Sequence, residues 1–219
     1  MAKTIDRKCY ARWIEHELDV CFRDQTILQF GGNWTLRASF ILHNPGSATP
    51  ISDDSQNAML AAKRLPFFVP PEPGEHYVEF RLDPLMRSLI DLISAVYPGG
   101  TIKIFNLFNL KNADSGEAAS DYRKYDHPRL FTRPADIQYA NAPVVVATGN
   151  AILNDPTLRR QFDQYISAAD KRLLFAVVRN VEKQYTIKRT TVKSSGLVES
   201  FHPTYTHKYG NKTTFAGFK

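Results

Sequence analysis

Four short polar clusters in this chain combine residue types that can do chemistry together: His43-Asn44-Pro45-Gly46-Ser47, Asn106-Leu107-Phe108-Asn109, Thr148-Gly149-Asn150 and His202-Pro203-Thr204-Tyr205. Pro45 fixes its φ and lacks an N–H, while Gly46 reaches backbone angles closed to other residues. A constrained turn of this kind holds the Asn44 carboxamide and several free N–H groups in place. The Asn44 oxygen can orient a water, although an amide is no strong base. The Asn106 amide has both a donor and an acceptor, which suits the edge of a planar heterocycle. His202 can donate a hydrogen bond to a departing anion, a form of stabilisation that is large in organised sites. Phe108 or Tyr205 can stack on a ring. Each residue also has a plain structural use. Asparagine and His-Pro pairs form turns, buried amides satisfy backbone groups, and Phe108 fits a core.

These clusters need strands to present them. Trp34 to Leu42, Thr101 to Phe108, Pro143 to Thr148 and Arg172 to Arg179 are nearly continuous apolar runs, as expected of strands buried on both faces. The first three lead into polar clusters, and in open α/β sheets ligands bind at the carboxyl edge. Helices are expected from about Gln56 to Arg64, capped by Asp53-Asp54-Ser55, and after Asp83-Pro84, where Leu85, Met86, Leu89, Ile90, Leu92, Ile93 and Val96 form an apolar face. A third is expected over Ala151 to Ala169, with Asp155-Pro156 marking a break or restart. Leu65 to Gly74, with four prolines, reads as a loop or an extended arm. His76 to Leu82 alternates like a half-exposed strand, and Gln184 to Val192 like an exposed antiparallel addition. Residues 109–142 read as mostly irregular. In the first thirty residues, Tyr10, Trp13, Ile14 and Leu18 have helical spacing, whereas Cys21 to Arg23 and Thr26 to Phe30 suggest a hairpin against the Trp34 strand.

Composition sets the outer bounds. The chain has 219 residues, enough for one domain with a substantial core. It shows neither a signal-peptide pattern nor an apolar run long enough to span a bilayer, so a cytoplasmic location is expected. Cys9 and Cys21 lack metal-ligand spacing and read as reduced thiols, a disulfide being the alternative. Net charge is +6, and residues 151–219 carry 12 Lys+Arg against 5 Asp+Glu. All of the positive excess therefore lies in the last third, which suits a polyanion such as nucleic acid as well as an ordinary solvated basic surface. Arg189, Lys193, Lys208 and Lys212 are the candidate phosphate contacts. His43, Asp53 and Asp54 match no standard metal site, and no dinucleotide, Walker-type or nucleophile-elbow motif is present. No metal or cofactor is expected.

The order of the four clusters resembles the uracil-DNA glycosylase superfamily. Asn44-Pro45-Gly46 looks like the first motif of its mismatch-specific and single-strand-selective branches, and Ile104-Phe105-Asn106 like the strand whose asparagine reads a base edge. Val144 to Asn150 resembles the third strand and its glycine turn, and His202-Pro203-Thr204 the late His-Pro-Ser loop. The chain is also similar to a bacterial and phage family of unknown function, with an Asn-Pro-Ser-type turn, an Asn-Leu-Phe strand and a Gly-x-x-x-x-x-His-Pro-x-Tyr segment, carried here by Gly196 to Tyr205. The resemblance spans roughly residues 34–210 through short motifs alone.

It implies a three-layer α/β/α domain with a mainly parallel four-stranded central sheet plus antiparallel additions, an N-terminal elaboration over 1–33 and an irregular insert at about 109–142. It implies hydrolysis of the N-glycosidic bond of an unusual or modified base in DNA, in a bacterial or phage repair setting. Asn44 would then position water and His202 stabilise the leaving base. His43, Pro45, Gly46, Ser47, Asn106, Phe108, Gly149, Asn150, Thr204 and Tyr205 would bind the base. Leu42-His43 stands where that family has Gly-Ile, Ser47 where an apolar residue is usual, and Thr204 where serine is usual. These departures point away from uracil itself. Two alternatives are a non-catalytic nucleic-acid or nucleotide binding module, and a hydrolase of free nucleosides or nucleotides with residues 109–142 as a lid.

Overall fold

The computed structural model describes residues 5–17, 20–111, 117, 120–149, 154–179, 185–193, 195–196, 198–203, 215 and 217–218. The first thirty residues form a long hairpin, β1 (Arg7–Glu17) and β2 (Val20–Phe30), paired antiparallel. The helical stripe expected at Tyr10, Trp13 and Ile14 is therefore not formed, and Leu18 lies outside the described residues. Alternation explains the strand. Cys9, Ala11 and Trp13 enter one core with Leu28 and Phe30, while Tyr10 points the other way, towards Ile27 and Tyr77. β2 does not pair with the Trp34 strand as expected. Its neighbours are β1 and the strand over residues 100–106.

The remaining strands are β3 (Leu36–Leu42), β4 (His76–Phe80), β5 (Gly100–Asn106), β6 (Val144–Val146), β7 (Leu174–Arg179) and β8 (Tyr185–Arg189). They complete one eight-stranded α/β sheet in the order β4-β1-β2-β5-β3-β6-β7-β8. The sheet is mixed, with four mutually parallel strands, β5-β3-β6-β7, at its centre and antiparallel neighbours on either side. β3 runs parallel to β5 and β6, and β6 to β7, whereas the flanking pairs are antiparallel. The parallel strands are the apolar runs, since neither of their faces meets water. β8 is the expected antiparallel addition to β7.

Among the described residues, the helices that pack on the sheet include α1 (Asn57–Ala62), α2 (Pro84–Ser94) and α3 (Pro156–Ala168). Met86, Leu89, Ile90 and Ile93 of α2 pack with Phe40, Ile102 and Ile104. Leu158, Phe162, Tyr165 and Ile166 of α3 pack with Ile41, Phe105 and Val146. Adjacent strand residues point to opposite faces, so α2 and α3 lie on opposite sides of the sheet. Asp83 caps α2 by accepting from the Met86 amide at 2.8 Å. Asp155 caps α3, so Asp155-Pro156 is a helix start. Of the cap expected from Asp53-Asp54-Ser55, only the Ser55 hydroxyl reaches the helix, accepting from the Asn57 amide at 3.4 Å. Gln56, just before α1, makes no side-chain cap, and Asp54 accepts from the Ser52 hydroxyl at 3.0 Å.

Charged residues inside the sheet are unusual here. Arg12 is fully buried and bonds Asp24 through Nε at 2.7 Å and Nη2 at 2.5 Å, with Glu75 at 3.1 Å. Arg129, also buried, holds Glu75 at 2.5 Å and Glu72 at 2.7 Å. This network ties β1 and β2 to the loops at 72–75 and 129–136. Lys103, in the middle of β5, is fully buried beside it.

Candidate functional site at the carboxyl edge of the parallel strands

Three of the four polar clusters come off neighbouring strands. Leu42, the last residue of β3, is paired with Asn106, the last of β5. The Leu107 amide then donates to the carbonyls of Leu42 and His43 at 3.0 and 3.1 Å, and the Ala147 amide, just past β6, donates to Ile41 at 2.9 Å. The fourth cluster is carried in by residues 198–203. The Phe201 amide donates to the Val177 carbonyl at 2.8 Å, and the Thr148 and Ser200 hydroxyls lie 3.4 Å apart. Gly149 therefore abuts His202. A Cβ at Gly149 would lie 3.9 Å from the His202 Cβ and amide nitrogen, and its φ of +70° favours glycine. Gly46 also needs the left-handed region, at φ +76°, which bends the Asn44 turn over Asp83.

His43 is buried, and its ring meets Phe108 edge-on at 5.3 Å between centroids. Phe108 stacks in turn on Tyr122 at 4.9 Å. The Tyr122 hydroxyl and the Arg123 guanidinium each donate to Asp155 Oδ2 at 2.6 Å, while Asp155 Oδ1 accepts from the Thr157 and Leu158 amides. Burial pushes the Asp155 carboxyl up, but these donors outweigh it and hold the group below its usual range. Burial pushes the His43 imidazole down, against the pull of Asp155. Burial, together with nearby His43, pushes His202 down to about 4. Both imidazoles are neutral at pH 7, and each then has one N–H donor and one lone pair.

The remaining candidates divide clearly. Asn44 and Pro45 are buried in the turn, Gly46 is half-buried and Ser47 is exposed. Asn106 is buried, its carbonyl accepts from the Tyr165 hydroxyl at 2.7 Å, and its Oδ1 has no hydrogen-bond partner among the described residues. Phe108 is wholly buried between His43 and Tyr122, so of its two weighed uses, core and stacking surface, it has the core one and supports His43. Arg189 bonds the Arg172 carbonyl and lies over the Phe175 ring, and Lys193 pairs with Glu199 at 2.6 Å. Both cations are thus held by protein groups. Asn150, Thr204, Tyr205, Lys208 and Lys212 lie outside the described residues. No group of His, Cys, Asp or Glu able to hold a metal occurs among the described residues, and no helix there is long and apolar enough to cross a membrane. Cys9 and Cys21 are free thiols.

Sequence reasoning missed the Tyr122–Asp155 support of His43. Asp155 was legible as a helix start, but nothing in the sequence joins it to a tyrosine 33 residues earlier. A cavity of about 290 Å³ lies between α3 and the 128–134 loop, lined in part by Phe131, Arg133, Arg160 and Gln161. Phe131 reaches Tyr122 edge-on at 6.0 Å. Comparison with known proteins gave no match to a family model, a curated protein or a solved structure.

The neutral histidines predict an acid response. An unfolded histidine takes up a proton near pH 6.5, whereas His202 does so only near 4. Between those values the unfolded state binds more protons, so stability falls as pH drops through this window. For His202 alone the loss is about 3 kcal/mol. Urea unfolding at pH 7 and pH 4.5 should show a smaller loss in His202→Gln than in wild type. Equal losses would assign the acid sensitivity elsewhere.

Proposed function

We propose that this domain recognises a nucleobase and hydrolyses its N-glycosidic bond in DNA, in the manner of a DNA glycosylase. The observation that carries the reading is the placement of His202 against Gly149 and near His43, at the edge where β3 and β5 end in the Asn44 turn and Asn106. The four parallel strands, with helices on both faces, support a glycosylase-like three-layer core inside the larger sheet.

In this mechanism the Asn44 carboxamide orients a water towards the anomeric carbon of the sugar. The electrons of the breaking C–N bond leave with the base, and the neutral His202 donates a hydrogen bond to the developing anion. A histidine that titrates near 4 suits this role, because it stabilises the anion without carrying a proton at rest. The water oxygen becomes the new sugar hydroxyl, and the base takes up the water's proton. Asn106 reads the base edge, and a duplex substrate is flipped out to reach it. The positive charge of the last third of the chain holds the phosphate backbone, which makes binding salt-dependent. A bacterial or phage role in repair or in handling modified DNA follows from the motif resemblance.

The test is abasic-site formation on oligonucleotides bearing uracil, mismatched or hypermodified bases. Asn44→Ala and His202→Ala should each lower the rate by about 100-fold or more while leaving oligonucleotide binding intact. Wild type that binds oligonucleotides without cleaving any is a binding module. Cleavage confined to free nucleosides, insensitive to salt, assigns the third activity.

A further inference from the structure

The bulge in β2 concentrates buried polar groups that the fold itself leaves unused. Between the pairs Tyr10↔Ile27 and Arg12↔Asp24, β2 places Gln25 and Thr26 opposite the single residue Ala11. Gln25 adopts φ +51°, a left-handed conformation that costs a side-chain-bearing residue about 1 kcal/mol. It is 1% exposed, and neither its amide oxygen nor its amide nitrogen has a hydrogen-bond partner among the described residues. Thr26 Oγ1, Arg23 Nε and Asn106 Oδ1 share that condition. Together these are five of the ten such atoms among the described residues, on positions 23, 25 and 26 of β2 and the end of its neighbour. Buried polar groups are nearly always satisfied, and strained bulges occur preferentially beside functional sites.

These groups share a face. The Arg23 guanidinium lies 5.3 Å from the Phe80 ring centroid and reaches the Ala48 carbonyl at 3.4 Å, on the α2 side beneath the Asn44–Ala48 turn. Gln25 and Thr26 oppose Ala11, which packs in the same core as Phe80. Asn106 follows Ile104 of that core by two residues, so it points the same way. Thr26 is paired with Ile104 in antiparallel register. Gln25 and Asn106 therefore continue past that pair in one direction, towards the carboxyl edge.

We propose that Gln25 is a specificity-determining residue of the nucleobase pocket, reading with Asn106 a heterocycle that carries a carbonyl beside a ring N–H. This rests on the glycosylase-type reading and narrows its substrate class to lactam or imide bases. Arg23 Nε can only donate, so the ligand must offer it an acceptor, which a carbonyl provides and an exocyclic amino group does not. Asn106 Oδ1 needs a donor, which a ring N–H supplies. Gln25 contributes one donor and one acceptor.

The test measures binding of hypoxanthine, uracil, adenine and cytosine, each methylated at the glycosidic nitrogen so that it keeps only the ring N–H groups it has in DNA, by saturation-transfer NMR and calorimetry, with thermal unfolding alongside. Wild type should bind hypoxanthine or uracil at least about tenfold more tightly than adenine or cytosine, a gap of about 1.4 kcal/mol. Gln25→Met, and Gln25→Gly, which removes the backbone strain, should each lose that affinity while melting no lower than wild type. Either variant binding as tightly as wild type overturns the inference. So does unfolding of both, which would mean the amide is needed inside the protein. Wild type binding none of the four bases also overturns it, and abasic-site formation then decides the glycosylase reading separately.

Discussion

Replacing Lys103 with methionine should stabilise the protein by about 2–4 kcal/mol at pH 7, and the gain should shrink as pH approaches 10. The ammonium group is fully buried in the sheet, where its one hydrogen bond among the described residues goes to the Phe67 carbonyl at 3.3 Å. Burial pushes Lys103 down to about 7. Asp24 and Asp136 resist that shift and Arg12 adds to it. From about 7 up to its ordinary value of 10.5 the unfolded chain holds a proton that the folded protein lacks. Stability therefore rises with pH across that interval, and below it the folded state carries a desolvated charge. Methionine keeps much of the volume and removes both costs. Urea midpoints of wild type and variant at pH 7 and pH 9.5 check this. An advantage that does not narrow at the higher pH would show that charge is not what makes Lys103 costly.

Asp24→Ala should act in the opposite direction, destabilising by about 3–5 kcal/mol. Arg12 cannot lose its proton, and burial opposes its charge. The Asp24 carboxylate, gripping two of its nitrogens, more than compensates. Removing that carboxylate leaves a guanidinium inside the sheet with Glu75 at 3.1 Å and Asp136 at 3.9 Å. In a chain of this length the melting temperature should fall by about 10 °C. The double variant Arg12→Met with Asp24→Leu should recover most of that loss, because the unpaired charge disappears with its partner. A thermal-denaturation cycle measures the coupling. A double variant no more stable than Asp24→Ala would mean that the pair holds the strands by geometry rather than by charge compensation.

The same charges explain what the sequence concealed. Val144-Val145-Val146 and Leu174 to Val178 were legible as strands because both faces of each meet apolar cores. Asp83-Pro84 was legible as a helix start because its capping chemistry is local. β1 was not legible. Arg12 interrupts its alternation, and carboxylates twelve and more residues away make a buried arginine tolerable there. Tyr10, Trp13 and Ile14 then imitate helical spacing. Where the N-terminal hairpin docks on the sheet was hidden for a related reason. Antiparallel pairing of β2 with β5 depends on partners 70 to 78 residues apart, and no local pattern records it. At the site, Asn44, Gly46, Gly149 and His202 stood out through turn chemistry. Gln25 did not, because nothing in Asp24-Gln25-Thr26 announces a left-handed bulge. His43 could be singled out as a departure from a motif, but its buttress of Phe108, Tyr122 and Asp155 spans loops that meet only in three dimensions.

The place of the β1–β2 hairpin in the strand order has a practical consequence for anyone trimming this chain. β2 lies directly against β5, so a fragment starting at the Trp34 strand would leave the outer rim of β5 bare. A naked rim of unpaired amides and carbonyls invites strands from other molecules to dock on it. What looks like a dispensable leader is thus a shield, and shortened versions would be expected to clump rather than merely soften.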